Sequence, residues 1–127
     1  MNEYMLLIRN LSNSKDSFSP ERHTEFLNAC KTYIGELKAK GQLIAAQPLI
    51  REGVILSNAG HNWAQIPLND RDEMQVGYYH IHAHSLDEAI AIARRNPEFS
   101  FTTTARVEVR PVKINEQTTG FKYPRQH

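Results

Sequence analysis

The sequence has a single cysteine, no long apolar run and no excess of charge of either sign. Because Cys30 is alone among 127 residues, no disulfide can form within the chain, and a reducing compartment, the cytoplasm, is the simplest expectation. The 15 basic and 14 acidic residues leave a formal charge of +1, and neither sign forms a block. This balance argues against nucleic acid or an anionic membrane as the main partner.

The apolar runs are short as well. The run over residues 4–8 is too brief for the core of a signal peptide or for a membrane span, so we expect no membrane association. A chain of 127 residues is long enough for one domain with a core and too short for two. We predict one domain over residues 1–112 and a polar C-terminal tail over residues 113–127, ordered if a partner holds it.

The most informative stretch covers residues 77–97 and reads GYYHIHAHSLDEAIAIARRNP, which predicts a strand that runs into a capped helix. Ser85 and Glu88 have the spacing of a capping box, and Pro97 ends the helix. In the strand, apolar residues alternate with aromatic and imidazole side chains. One edge carries Tyr79, Ile81 and Ala83, and the other carries Tyr78, His80, His82 and His84.

The rest of the chain supplies a second helix and further strands. Ser19 and Pro20 open a helix that Gly41 stops. We expect strands at residues 4–9, 43–50 and 105–112, a hairpin at 54–57 and 63–66, a charged loop at 67–75 and a connection at 99–104. This order predicts an α+β fold of the ferredoxin-like (split βαβ) type, an antiparallel sheet with two helices on one face and an inserted β-hairpin.

Two helices cover only one face of such a sheet, and the sequence indicates what the other face carries. Its side chains are aromatic, imidazole and charged groups, namely Tyr78, His80, His82, Arg106 and Glu108. A mixed face of this kind suits a second copy of itself with a polar cavity between the two. We therefore expect a homodimer whose sheets face each other, which is a dimeric α+β barrel.

The imidazoles on this face are the candidate catalytic groups. Imidazole exchanges protons near neutral pH, so His80 or His82 is predicted to act as acid–base group on a small organic acid that Arg106 or Arg9 orients. The other residues predicted to bind the substrate are Tyr78, Glu108 and His23. The alternative is a binding or regulatory module that holds a metabolite or a protein partner without chemistry.

The spacing of His80 and His82 also raises the question of a metal ion. Alternate residues of a strand lie about 7 Å apart and point the same way, so the pair is half of a zinc-type site. Glu108 or His61 would have to supply the third ligand, and arginines on the same face would repel a dication. We therefore expect no metal and no other cofactor.

Several other reactive side chains have structural interpretations. Cys30 and His23 fall on the apolar stripe of the first helix, so packing explains both, although His23 stays a candidate for substrate binding. Trp63 is predicted to pack the hairpin against a partner subunit. The acidic side chains expected in a solvated loop are Asp70, Asp72 and Glu73.

Taken together, these segments resemble the YCII-related family, and within it the branch named for a DGPF motif. The resemblance is carried by Tyr4-Met5-Leu6-Leu7-Ile8, Ser19-Pro20-Glu21-Arg22, residues 41–49, Gly77-Tyr78-Tyr79, Ser85-Leu86-Asp87-Glu88-Ala89 and Val107-Glu108-Val109-Arg110-Pro111-Val112. It implies the ferredoxin-like fold, the added hairpin and the dimer. Some relatives are enzymes that act on small, often aromatic, compounds, and others occur beside transcription sigma factors.

The chain departs from the family pattern at its acid–base residues. Where the branch has Asp-Gly-Pro-Phe, this chain has Gln65-Ile66-Pro67-Leu68, and an amide does not exchange protons usefully near neutral pH. Asn96 stands where other relatives carry an aspartate before proline. Conversely, His80 and His82 occupy positions where the branch has an apolar residue and a variable one, so they are expected to be particular to a subgroup.

Overall fold

A computed structural model describes residues 1–69 and 72–124 of the chain. Within these ranges the elements are β1 (Asn2–Leu11), α1 (Pro20–Ala39), β2 (Leu43–Pro48), β3 (Val54–Ala59), β4 (Asn62–Pro67), β5 (Glu73–Ala83), α2 (Leu86–Arg94), α3 (Glu98–Phe101) and β6 (Arg106–Pro111). Four strands form an antiparallel sheet in the order β2-β5-β1-β6, and β3 and β4 form a separate ribbon. The predicted ferredoxin-like α+β fold with an inserted hairpin is confirmed.

Two elements differ from the prediction. Strand β5 begins at Glu73, which was predicted in a loop, because its ladder with β1 continues past a bulge at Val76, opposite Ile8 and Arg9, as far as Leu11. Asp70, predicted in the same loop, lies outside the described residues. The expected connection after α2 contains α3, where Asn96 Oδ1 accepts the backbone N–H of Glu98 at 2.9 Å.

The ends of the two long helices follow the sequence signals. The hydroxyl groups of Ser19 and Ser85 each accept a backbone N–H of the first turn at 3.1 Å. Helix α1 ends in a Schellman motif around Gly41, whose φ is 67°, with the N–H of Gln42 donating to the Leu37 carbonyl at 2.8 Å. These caps fix where α1 and α2 start and therefore which of their side chains reach the sheet.

The core lies between the sheet and α1 and α2. The alternation on β5 buries Ile81 and Ala83 completely, and β1 alternates in the same way. The buried core cluster consists of Tyr4, Leu6, Ile8, Tyr33, Leu37, Ile81, Ala83, Ala89, Ile92 and Ala93, with Tyr79, Val107 and Val109 packed against it. The side chains between these positions consequently face away from the helices, as the sequence predicts.

Two segments project from this core. All residues of the β3–β4 ribbon are exposed, including Trp63 at 72 %. The described part of the expected tail folds on itself as a C-terminal hairpin, residues 113–124, in which Asn115 bridges Lys122. A φ of 74° at Gly120 turns this hairpin, and Tyr123 donates its N–H to the Ile114 carbonyl at 2.9 Å. Both of these contacts are internal to the hairpin.

Candidate functional site

The helix-free face of the sheet carries the predicted imidazoles. His80 lies opposite Met5 of β1 and Ala45 of β2, and His82 lies opposite Glu3. Because side chains that are directly paired in an antiparallel ladder point to the same face, these five residues share one end of that face. The sequence-based orientation of β5 is therefore the orientation in the structure.

His80 is held by a buried carboxylate. Its Nε2 lies 2.8 Å from Oε1 of Glu3, a side chain that is only 7 % exposed. Burial lowers the pKa of His80 from its usual value of 6.5, which favours the neutral imidazole. In the neutral form that donates Nε2–H to Glu3, the other ring nitrogen is left as a proton acceptor.

A cavity of about 920 Å³ opens over these residues, and we call it the sheet-face cavity. His82 lines it beside His80, and the buried Nδ1 of His82 has no hydrogen-bond partner among the described residues. The walls are mostly aliphatic, and they come from β2 and from the segment that follows β6. Its lining residues are Glu3, Leu43, Ile44, Ala45, His80, His82, Val112, Lys113, Ile114 and Pro124.

The two predicted arginines of this face, Arg9 and Arg106, lie at its opposite end. Arg9 Nε and Arg106 Nε contact the two carboxylate oxygens of Glu73 at 2.6 and 3.0 Å, and these contacts hold the pKa of Glu73 below its usual range. Arg9 lies four residues along β1 from Met5, the residue paired with His80, and this spacing corresponds to about 13 Å. The structure therefore places both arginines away from the imidazoles.

The two remaining residues of this group also lie outside the sheet-face cavity lining. Tyr78 is opposite Leu7 and Gln47, between the two ends of the face. Glu108 is opposite Leu7 on the other side of β1 and lies 3.5 Å from Arg110 on its own strand. The predicted set is thus spread along one face, with the imidazoles at one end, the arginines at the other, and Tyr78 and Glu108 between them.

His23 is on the other side of the sheet, where a second cavity of about 480 Å³ lies between α1 and strands β1, β2 and β5. We call it the helix-side cavity. His23 is exposed at its rim and not packed, so the packing interpretation is wrong. Cys30 and Tyr79 line the cavity, and burial raises the pKa of Cys30 to about 11 and that of Tyr79 above its usual range.

Asn96 adds an unsatisfied group to the helix-side cavity. The residue is only 2 % exposed, and its Nδ2 makes no well-formed hydrogen bond in the described part of the chain, although the side chain is near enough to the hydroxyls of Tyr33 and Tyr79 to oppose the rise of their pKa. Buried donors are almost always paired, so an unpaired one beside a cavity indicates a place for a ligand oxygen or a water molecule. The ion pair of Lys15 and Glu98, at 2.8 Å, closes another part of the wall.

Sequence reasoning did not identify Glu3, Lys113 or the partners of Glu98. Glu3 had a readable signal, because the alternation of β1 places it on the same face as the imidazoles. Lys113 had none, since it follows the last strand. Asn10 donates to Glu98 Oε2 at 2.8 Å across 88 residues, and no local pattern predicts such a contact.

The described residues contain no cluster of three His, Cys, Asp or Glu side chains that is suited to hold a metal ion. Glu108 is opposite Leu7, midway along the face and two strands away from His80 and His82, and His61 lies in the turn of the β3–β4 ribbon. Glu3 is hydrogen-bonded to Nε2 of His80 at 2.8 Å. The half-site that the sequence suggests is not completed by any of these residues.

Comparison with known proteins gives one informative match. The sequence model of the YCII-related domain matches residues 2–113, which covers all the elements described above. A search of curated proteins finds no match. Among the described residues, no helix combines the length and the apolar character that crossing a bilayer requires.

Proposed function

The chain belongs to the YCII-related family, and we propose that it binds a small organic acid or aromatic compound in the sheet-face cavity, where His80 moves a proton. The observation that carries the proposal is the 2.8 Å contact between Glu3 and His80 at the floor of that cavity. A buried carboxylate that orients an imidazole is a recurrent arrangement for acid–base chemistry.

The proton transfer follows from the charges of this pair. Burial lowers the pKa of His80 and favours the neutral ring, whose second nitrogen accepts a proton from the ligand. Glu3 then stabilises the imidazolium, since the ring and the carboxylate become an ion pair at hydrogen-bond distance. His82, next along the same face, is placed to hydrogen-bond the ligand.

The experiment is a thermal-shift screen of small acids and aromatic compounds, repeated on a variant with both His80→Ala and His82→Ala. Compounds that stabilise the wild type are expected to lose their shift in the double variant. Arg106→Gln is the matched control, because Arg106 lies on the same face at its opposite end. If the shifts persist in the double variant, the ligand site is not in the sheet-face cavity.

We also propose that two copies pair with their sheets facing each other, which makes the protein a homodimer with cavities at the junction. The ribbon and the loop before it also expose large apolar side chains that a partner would cover, Trp63 at 72 % and Ile50 at 82 %. A two-stranded ribbon is marginally stable by itself, so covering it would be favourable. Light scattering at micromolar concentration tests this proposal, and a monomer there would contradict it.

A second candidate function is binding without chemistry, in the helix-side cavity. The specific observation is the buried Nδ2 of Asn96 without a partner in the described chain, beside apolar walls that suit a small ligand. The free thiol of Cys30 lines the same cavity, which fits a reducing compartment such as the cytoplasm.

The same screen distinguishes the two functions. Ala46 lines the helix-side cavity, so Ala46→Phe is expected to abolish shifts caused by ligands bound there and to leave sheet-face ligands unaffected. A compound whose shift survives Ala46→Phe but not the double histidine variant belongs to the sheet-face cavity. The reverse pattern would favour the binding function.

A further inference from the structure

The C-terminal hairpin begins where the family match ends. The match stops at residue 113, yet the chain continues as a folded segment to residue 124. Its contacts are largely internal: Glu116 and Phe121 bond through their backbones, Phe121 packs edge-on against Tyr123, and the Tyr123 hydroxyl bonds the Glu116 carboxylate. The hairpin is therefore a structured addition to the family domain.

This addition forms one wall of the sheet-face cavity. Val112, which precedes the hairpin, donates its N–H to the Glu3 carbonyl at 3.0 Å and so ties the segment to the floor of the cavity. Ile114 and Pro124 line the cavity together with Ala45 of β2, the residue paired with His80. Aliphatic side chains on both sides leave room for an apolar ligand body between them.

The hairpin also brings a cation to the cavity. Arg9 and Arg106, the arginines expected to orient an acid, are bound to Glu73 at the far end of the face. Among the described residues that line the cavity, Lys113 is the one with a permanent positive charge. The Lys113 side chain is 64 % exposed. Its ammonium lies 2.8 Å from Glu116, a residue of the hairpin that is not part of the cavity lining.

The depth of these groups orients a ligand. Glu3 and His80 are at the buried floor, whereas Lys113 is at the solvent-exposed mouth. A carboxylate is favoured beside the ammonium and disfavoured beside the buried carboxylate of Glu3. The apolar body then extends inward between Ile114 and Ala45 toward the imidazoles.

We infer that the C-terminal hairpin selects the ligand of the sheet-face cavity, and that this ligand is a small monocarboxylic acid whose carboxylate meets Lys113. The inference rests on the proposed function, because it assumes that the ligand reaches His80 and His82. It assigns selectivity to Lys113, a residue that positions the acid and takes no part in proton transfer.

The test uses three compounds of similar shape and different charge: benzoate, benzyl alcohol and benzylamine. Binding to the full-length protein is measured by backbone NMR titration into the millimolar range. Benzoate is expected to bind about two- to fivefold more tightly than benzyl alcohol, which is the effect of one exposed ion pair, and benzylamine most weakly. Lys113→Met is expected to remove the preference for benzoate.

Two further variants separate a direct role of Lys113 from a structural one. Lys122 is on the opposite strand of the hairpin and does not itself line the cavity. Lys122→Met therefore removes the same charge and is expected to keep the preference for benzoate. Glu116→Gln removes the carboxylate that competes for the Lys113 ammonium. It is expected to raise the affinity for benzoate, whereas damage to the hairpin would lower it.

The possible failures are distinguishable. If Lys113→Met keeps the benzoate preference while the His80→Ala and His82→Ala double variant loses all three compounds, the inference is overturned and the proposed site stands. If the double variant binds all three compounds as the wild type does, the proposed site is also wrong. Equal affinity of the wild type for benzoate and benzylamine overturns the inference directly.

Discussion

The two faces of the central sheet are built from the same strands and differ in what their side chains do. Toward the helices, β5 places Ile81 and Ala83 in a closed core without exposed surface. Toward the other side, the same strand places His80 and His82 beside an open cavity. Neighbouring residues therefore belong to different environments, and a substitution is expected to affect stability on one face and ligand binding on the other.

The sharpest test of this difference compares two adjacent residues. Ile81→Ala is expected to lower the free energy of unfolding by about 2–5 kcal/mol, because it leaves a cavity in the core. His82→Ala is expected to change it by less than about 1 kcal/mol, since the side chain is partly exposed. Urea unfolding measures both. Equal losses would show that the two faces are not energetically distinct.

The next comparison concerns the thiol on the helix side. Burial raises the pKa of Cys30 to about 11, so the thiolate is scarce at neutral pH. Alkylation by iodoacetamide is expected to be about a hundredfold slower than that of a free thiol such as glutathione. The rate should recover in urea, which exposes the side chain. Fast alkylation of the folded protein would mean that the helix-side cavity is more open than described.

A smaller effect is expected when single polar contacts on the two faces are removed. Tyr33→Phe deletes the bond from the Tyr33 hydroxyl to the buried Ile92 carbonyl, 2.8 Å long, and is expected to cost about 1 kcal/mol of unfolding free energy. Arg106→Gln removes an ion pair of which the arginine is 70 % exposed, and should cost less than about 0.5 kcal/mol. Chemical unfolding of both variants checks the order, and a larger loss for Arg106→Gln would reverse it.

The smallest expected effect is the pH dependence due to His80. Its pKa in the folded protein is below the unfolded value of 6.5, so the unfolded chain takes up the proton first as the pH falls. This contribution to stability is present above pH 6.5 and is lost below it. The free energy of unfolding should therefore fall less steeply with acidification in His80→Gln than in the wild type. Identical slopes would place His80 in a solvent-like environment.

Much of the fold was predictable because its signals are local. Ser19, Ser85 and Gly41 act within one helical turn, and the alternation on β5 needs only neighbouring residues. Helix α3 was not predicted, because its formation depends on contacts such as the Phe101 ring against Phe26, 5.3 Å between centroids. Such contacts join residues that are distant in the sequence.

The candidate site was predictable only in part, for the same reason. The direction of His80 and His82 follows from strand geometry. The hydrogen-bond partner of His80 does not follow from strand geometry, because Glu3 reaches His80 through the pairing of β1 with β5. Arg9 and Arg106 were expected to orient the ligand, and their attraction to Glu73 was not foreseen, since that residue was expected in a loop.

The most direct test of the account is a long-range ¹H–¹⁵N NMR spectrum of the histidine side chains, recorded from about pH 5 to about pH 8 with and without benzoate. Substitution of His80 and His82 assigns the signals. The account predicts that His80 is neutral with its Nε2 protonated near pH 7, that its pKa is below 6.5, and that its signals move when benzoate is added. A charged His80 at neutral pH, or signals that benzoate leaves in place, would contradict it.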